Sequence, residues 1–222
     1  MSARHLAAFC LLNLVVSVSW GDSREASASQ LVVYFSADSG QSPRVLEFMR
    51  RELGQLMETA GYELVWRDTH SPPEVTASPL IVARLQGVCA LPAGDLDSYA
   101  PLAKAASLAS TAVVEGRVIP FSTVNCANLS RTLAPMLAGE PGARRDFLYG
   151  RAVARVLAHE FYHILSGSTA HAAGGLAKSC FSPTDLVTEH FEFEQSTLAK
   201  LQKHPARSIS EPAITDDVSG RW

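Results

Sequence analysis

The chain has 222 residues and a net charge of -3, and 47% of its residues are hydrophobic and 18% charged. This length and composition suit one well-packed globular domain and are marginal for two. The basic residues are scattered, so the chain gives no sign of a nucleic-acid partner or an anionic-membrane partner. We expect the domain to act as a monomer.

Residues 1–21 have the pattern of a secretory signal peptide. A basic start precedes an apolar run over residues 6–20, which is shorter than the roughly 20 apolar residues of a membrane span. Small residues lie near Gly21, where a signal peptidase would cut. An uncleaved anchor is the alternative, and no other segment could span a bilayer. The pattern predicts an exported protein, secreted or periplasmic, with a flexible leader over residues 22–30.

The segment after the leader predicts a strand, a helix and a second strand. Residues 31–35 are apolar with β-branched and aromatic side chains, a pattern typical of a strand. Ser42 and Pro43 predict a helix start, and apolar residues then recur at helical spacing as far as Gly61. A second strand at residues 62–66 would pair in parallel with the first through a right-handed crossover.

The middle of the chain alternates predicted strands with turn-rich segments. A predicted loop over residues 69–79 precedes a third strand at residues 80–85 and an irregular segment at residues 92–101. A strand pair is then predicted at residues 111–121, a short helix at residues 128–138 and a loop at residues 139–142. Within the strand pair, Glu115 and Gly116 predict either a hairpin turn or a bulge.

Two helices complete the predicted domain, which covers residues 31–203. A long helix over residues 144–165 keeps an apolar period and stops at Gly167. A final helix is predicted over residues 182–202, and a flexible tail follows over residues 204–222. The combined pattern predicts an α+β fold with a mixed β-sheet, a long helix and a C-terminal helix.

The end of the long helix carries the sequence His159-Glu160-Phe161-Tyr162-His163. Residues four apart lie on adjacent turns of one helix face, so both imidazoles can reach one Zn²⁺ at about 2.0–2.1 Å. Glu160 is then placed as the catalytic general base, which takes a proton from metal-activated water and delivers it to the leaving group. A helix whose two histidines merely occupy polar positions is the alternative.

A catalytic zinc site usually has three protein ligands, so a third is expected beyond His159 and His163. His171 follows the helix, and Gly174-Gly175 would help the chain turn back toward the metal. We therefore predict His171 as the third ligand. The rival candidates on the final helix are Asp185, Glu189, His190 and Glu192.

Cysteine pairing matters if the protein is exported. Loss of the signal peptide would leave Cys89, Cys126 and Cys180, an odd number. Cys89 and Cys126 each follow a predicted strand, so they are the preferred disulfide. Cys180 would then be free or lie beside the zinc site. Two alternatives stay open: Cys180 replaces one of the partners, or all three are buried thiols.

Residues 159–171 resemble the active-site motif of the zincin metallopeptidases, and a third histidine after a glycine resembles the metzincins. The metzincin pattern is H-E-x-x-H-x-x-G-x-x-H. Here Gly167 comes one residue late and His171 two residues late, and no methionine follows the motif. The chain is similar to a divergent, minimal, metzincin-like zincin. The resemblance implies a zincin-like fold and a zinc metalloendopeptidase that hydrolyses peptides or proteins.

The same resemblance bears on three further positions. It implies that a strand over residues 113–119 lines the cleft and binds an extended peptide by β-augmentation, with a plain interior or edge strand as the alternative. In another zinc-peptidase group the third ligand is a glutamate on a following helix, which makes Glu189 the runner-up to His171. Tyr162 is expected to pack in the core, with oxyanion stabilisation as its alternative role.

Two functions of other kinds stay open. The missing methionine turn is compatible with a non-catalytic binding module that zinc stabilises, without an open coordination position. The motif chemistry also fits hydrolysis of a non-peptide amide, because the same activated water can attack either carbonyl group.

Overall fold

The computed structural model describes residues 28–72, 78–91 and 107–203. The elements in these ranges are β1 (Ser29–Ala37), α1 (Pro43–Thr59), β2 (Tyr62–Asp68), β3 (Leu80–Gln86), β4 (Ala109–Val114), β5 (Arg117–Asn125), α2 (Cys126–Leu137), α3 (Gly142–Ser166), a 3-10 turn (Gly175–Ala177), α4 (Pro183–Val187) and α5 (Gln195–Lys203). The predicted α+β class is confirmed. The predicted signal peptide, most of the leader, the irregular segment and the C-terminal tail lie outside the described residues.

The strands form one mostly parallel sheet in the order β2-β1-β3-β5-β4. β1 pairs in parallel with both β2 and β3, and β3 pairs in parallel with β5, whereas β4 joins β5 antiparallel. The predicted parallel pairing of the first two strands is confirmed. Pairing of Ser29 with Tyr62 starts β1 two residues earlier than the predicted domain boundary. In the sheet formed by the described residues, β4 is an edge strand that pairs with β5 on one side.

One face of the sheet is buried under α1 and α3. Alternate residues of a strand share a face, and the inward residues Val33, Ile81 and Leu85 are completely buried. Gly150 lets α3 approach α1 closely, because a Cβ there would lie 2.6 Å from Cβ of Phe48 and 2.7 Å from the Val45 carbonyl oxygen. This packing fixes α3 against the sheet, and α3 is the helix that carries the histidine pair.

Local signals set the ends of the main helices as predicted. The Ser42 side chain accepts a hydrogen bond from the Val45 amide, and Pro43 occupies the first turn of α1. Gly167 ends α3 in the left-handed conformation, with φ 59°. α2 begins at Cys126, two residues before the predicted start, because the Asn125 side chain caps it by accepting from the Asn128 amide at 2.9 Å.

The strand pair before α2 contains both a hairpin turn and a bulge. Glu115 and Gly116 have φ of 50° and 76°, and Val114 pairs directly with Arg117, so these two residues form a tight turn. The pairing register shifts by two residues between the Thr111–Ser122 and Val113–Val118 pairs, with the extra residues on β5. The bulge therefore lies in the strand and not at the predicted turn.

The prediction of one continuous C-terminal helix is wrong. α4 ends at Val187, and α5 starts only at Gln195. Arg151 Nη1 donates to the Thr188 carbonyl at 3.1 Å, and Arg155 Nη1 donates to the Asp185 carbonyl at 2.8 Å. A continued helix would need these carbonyls for its own hydrogen bonds, so the two arginines of α3 stabilise the end of α4 instead.

The preferred disulfide is confirmed. Cys89 and Cys126 are bonded, with their Cα atoms 4.6 Å apart, and both residues are completely buried. Cys180 is free and exposed. The bond joins the segment after β3 to the start of α2, and it is consistent with an oxidising compartment.

Candidate metal centre

Three histidines from α3 and the following loop converge at the end of the helix. His159 and His163 lie one turn apart, and their Nε2 atoms are 3.0 Å apart. The ring centroid of His171 lies 5.2 Å from that of His159 and 4.8 Å from that of His163. One ligand atom from each residue lies within 4.8 Å of the others, so the three histidines could hold one metal ion.

Main-chain carbonyls select the tautomer of the two helix histidines. His159 Nδ1 lies 2.7 Å from the Leu176 oxygen, and His163 Nδ1 lies 2.8 Å from the Ser168 oxygen. A carbonyl oxygen only accepts, so each Nδ1 carries the proton and donates it. In the neutral form of each ring, Nε2 then keeps a free lone pair, which is the arrangement of a metal-binding histidine.

The two facing lone pairs fit a shared cation. The pKa of His159 is lowered to about 4, mainly by burial and also by neighbouring His163 and His171, while the bond to Leu176 acts in the opposite sense. The ring is therefore neutral at pH 7 and brings no proton of its own between the two Nε2 atoms. Two nitrogens on a tetrahedral zinc would be about 3.3 Å apart, close to the observed separation.

His171 is the most exposed of the three. Its pKa is lowered by burial and by the neighbouring His163, which favours the neutral, metal-binding form. Its ring stacks on His159, with 20° between the planes.

The loop that returns to His159 turns at Gly175, one of the two glycines expected to help the chain turn back. Gly175 has φ 61°, and a Cβ there would lie 2.6 Å from the Glu192 carbonyl oxygen. The same oxygen accepts a hydrogen bond from the Leu176 amide at 3.0 Å. The segment after α4 thus holds Leu176 in place, and Leu176 in turn orients His159.

A buried charge cluster lies on the same face of α3, one and two turns before His159. Arg155 is 1% exposed, and its Nη2 lies 3.4 Å from Glu52 Oε1. Arg151 Nε lies 3.3 Å from the same oxygen. Burial lowers the pKa of Arg155 to about 10, and Glu52 acts in the opposite sense, so Arg155 stays charged at pH 7. This cluster fastens α3 to α1 and to the segment after α4.

The carboxyl group of Glu160 is buried beside the histidines. Its Oε2 accepts a hydrogen bond from Thr111 Oγ1 at 2.6 Å. Burial raises the pKa of Glu160, and the bond from Thr111 acts in the opposite sense. A buried carboxylate is a stronger base than an exposed one.

An open cleft of about 490 Å³ contains the three histidines and Glu160. One wall is the edge strand β4 with the start of β5, and the other wall is the loop after the 3-10 turn. The large apolar side chains that line the cleft are Val156 of α3 together with Leu108, Val113, Val118 and Phe181 of the two walls. Cys180 and Lys178 also line the cleft. Residues 113–119, predicted as one strand beside the cleft, instead form the end of β4, a turn and the start of β5, and of these residues Val113 and Val118 line the cleft.

The rival ligand candidates have other surroundings. Asp185 accepts from Lys178 at 2.7 Å and caps α4 together with Ser182. Glu189 and His190 are exposed. Among the described residues, the three histidines form the one group of three or more His, Cys, Asp or Glu side chains that lie close enough to share an ion.

Tyr162 is buried, with its ring near that of Phe193, as the core prediction requires.

Comparison with known proteins adds no family to this picture. No family model matches the chain, and no curated protein matches it. In the described ranges, the helices are too short or too polar to cross a bilayer. What the centre can do follows from its own geometry and chemistry.

Proposed function

We propose that this protein is an exported, zinc-dependent metallopeptidase of the zincin type. His159, His163 and His171 are its zinc ligands, and Glu160 is its general base. The observation that carries the proposal is the pair of free Nε2 lone pairs, 3.0 Å apart, in the same cleft as a buried carboxylate. A purely structural histidine pair has no need of either feature.

The donor set favours zinc over other ions. Three imidazoles without a carboxylate suit zinc better than the hard cations calcium or magnesium, which prefer oxygen ligands. Three protein ligands leave one coordination position open, which is typical of catalytic zinc. Bound zinc supplies a Lewis acid that activates water and polarises a carbonyl group.

Glu160 handles the proton in the proposed reaction. With its pKa raised by burial, the carboxylate takes a proton from the attacking water as the new carbon–oxygen bond forms. The same carboxyl then gives that proton to the leaving amine as the carbon–nitrogen bond breaks. The products are a carboxylic acid and an amine, so no further reactant is needed.

The substrate class is an extended peptide or protein segment. Among the described residues, β4 is paired only on its β5 side, so its other edge presents amide and carbonyl groups along the cleft. An extended peptide can add to such an edge by main-chain hydrogen bonds, whereas a small non-peptide amide cannot use it in this way. The apolar walls favour apolar side chains in the bound segment.

An exported location agrees with the structure and with the chain start. The buried Cys89–Cys126 bond is of a kind that persists in oxidising compartments. The basic start and apolar run of residues 1–21 have the pattern of a secretory signal peptide. Both features favour secretion or the periplasm.

Glu160→Gln tests the proposal, because the amide cannot act as a base but keeps the shape of the side chain. The variant should bind zinc like the wild type and lose peptide hydrolysis by about 100-fold to 10,000-fold. Glu189→Gln, a change at an exposed glutamate, serves as the matched control. Full activity of Glu160→Gln would refute the role of Glu160 as the general base. Bound zinc with no turnover by the wild type on any peptide would favour the binding module.

A further inference from the structure

Glu160 is held by a residue that lies 49 positions earlier in the chain, on the edge strand. Thr111 Oγ1 lies 2.6 Å from Glu160 Oε2, the short distance of a hydrogen bond to a carboxylate. The same hydroxyl lies 3.3 Å from the main-chain oxygen of Glu160. Among the described residues, the carboxylate has no other hydrogen-bond partner. Its Oε1 is therefore left without a protein donor, in a residue that lines the cleft.

The strand geometry aims Thr111 at the helix. Thr111 pairs with Ser122, and both side chains point to the face of the sheet that α3 covers. The bulge between Thr111 and Val113 follows immediately. Bulges re-aim neighbouring side chains and are over-represented beside active sites. The β-branched side chain of Thr111 also has few rotamers, so the hydroxyl has a narrow range of positions.

We propose that Thr111 is a positioning residue for the general base: its hydroxyl anchors Glu160 Oε2 and leaves Oε1 to take the proton from water. This inference rests on the proposed function. Without the anchor, a carboxylate free to rotate about its last bond would present either oxygen, at varying angles, to the water. The anchor also ties the base to β4, the strand that would pair with the substrate.

Two substitutions separate the hydroxyl from the shape of the side chain. Thr111→Val removes the donor but keeps the β-branched form, and Thr111→Ser keeps the donor. Loss of a supporting hydrogen bond of this kind lowers activity by about 10-fold to 100-fold. We expect Thr111→Val to lower kcat by that factor with KM within about twofold, because the interaction acts on the chemical step. Thr111→Ser should restore most of kcat. Thr123→Val, on the neighbouring strand and the opposite face, is the matched control.

A second measurement detects the anchor without turnover. Metal-free protein labelled with ¹³C at the glutamate side-chain carboxyl gives a resonance for Glu160, assigned by its disappearance in Glu160→Gln. Thr111→Val should shift this resonance, and Thr111→Ser and Thr123→Val should leave it in place. A shift confined to Thr111→Val would support the anchor even if the wild type hydrolysed no peptide, an outcome that would defeat the proposed function alone.

Three results would overturn the positioning role. An unmoved carboxyl resonance in Thr111→Val would show that the hydroxyl does not hold Glu160. A rise in KM with unchanged kcat would mean that Thr111 affects only substrate binding at the edge strand β4. Equal loss of kcat in the valine and serine variants would assign the effect to packing, because serine keeps the donor.

Discussion

His159 donates its Nδ1 proton to the main-chain oxygen of Leu176 at 2.7 Å, across 17 positions of the chain. This hydrogen bond joins the helix α3 to the loop that follows His171, and it leaves Nε2 of His159 free for a metal. The orientation of one ligand therefore depends on how the loop is closed. Partners of this kind typically change metal affinity by about 10-fold to 100-fold when they are removed.

Gly175→Ala should weaken zinc binding through this loop. The new Cβ would meet the Glu192 carbonyl oxygen at 2.6 Å, which displaces Leu176 and with it the acceptor of His159. We expect zinc affinity, measured by competition with a chelator, to fall by about 10-fold to 100-fold.

Gly139→Ala is the matched control for this change. Gly139 has φ 82°, so an alanine there bears the same left-handed strain of roughly 1–2 kcal/mol, but its Cβ would meet no atom within 4 Å. Both variants bear the left-handed strain, Gly175→Ala should lose more stability because of its added backbone contact, and only Gly175→Ala should lose zinc affinity. Equal zinc affinity in the two variants would contradict the link from Leu176 to His159.

The third ligand can be identified by comparing His171→Ala with Glu189→Ala. His171 lies within reach of the helix histidines, whereas Glu189 is exposed and outside their group. Metal analysis after dialysis should show loss of zinc in His171→Ala and full zinc content in Glu189→Ala. Loss only in the glutamate variant would overturn the ligand set.

Glu52→Gln should destabilise the whole domain. Glu52 forms ion pairs with Arg151 and Arg155, and Arg155 has almost no access to water. Breaking a buried ion pair by removing one partner raises the free energy of the folded state by about 3–5 kcal/mol, which urea unfolding can measure.

An exposed ion pair provides the comparison for Glu52. Arg84 and Asp38 lie 3.4 Å apart, and their side chains are 50% and 44% exposed. Arg84→Gln should change the free energy of unfolding by at most about 1 kcal/mol. A similarly small effect for Glu52→Gln would show that the buried cluster does not fasten α3 to α1.

The disulfide should contribute to stability independently of the metal. Cys89 and Cys126 enclose a separation of 37 residues, and the loss of such a bond lowers the free energy of unfolding by about 2–5 kcal/mol. We expect this loss in the double variant Cys89→Ser/Cys126→Ser, measured in urea on metal-free protein. Cys180→Ser, at an exposed free thiol, should unfold like the wild type. Equal stability of all three proteins would count against the structural role.

Local patterns predicted the parts of the structure that depend on neighbouring residues. The spacing of His159 and His163 places them on one face of α3, and the caps at Ser42 and Gly167 set helix ends. Cys89 and Cys126 each follow a predicted strand, and this position was the basis for predicting their disulfide. Each of these signals acts within a few residues or between successive elements.

The features that the sequence did not predict come from distant contacts. The break after α4 depends on donors from Arg151 and Arg155, which lie 37 and 30 positions before their acceptors. Arg151 and Arg155 lie eight and four residues before His159, and this spacing predicts that they share the histidine face of the helix. Thr111 has no such signal, because its contact with Glu160 arises from sheet order and a bulge.

X-ray absorption at the zinc edge tests the central claim most directly. One zinc per chain should show three nitrogen ligands at about 2.0–2.1 Å and one further light ligand, and His171→Ala should lose one of the nitrogens. No stoichiometric zinc after reconstitution would contradict the account. A sulfur ligand at about 2.3 Å, which only a cysteine such as Cys180 or a methionine could supply, would contradict it as well.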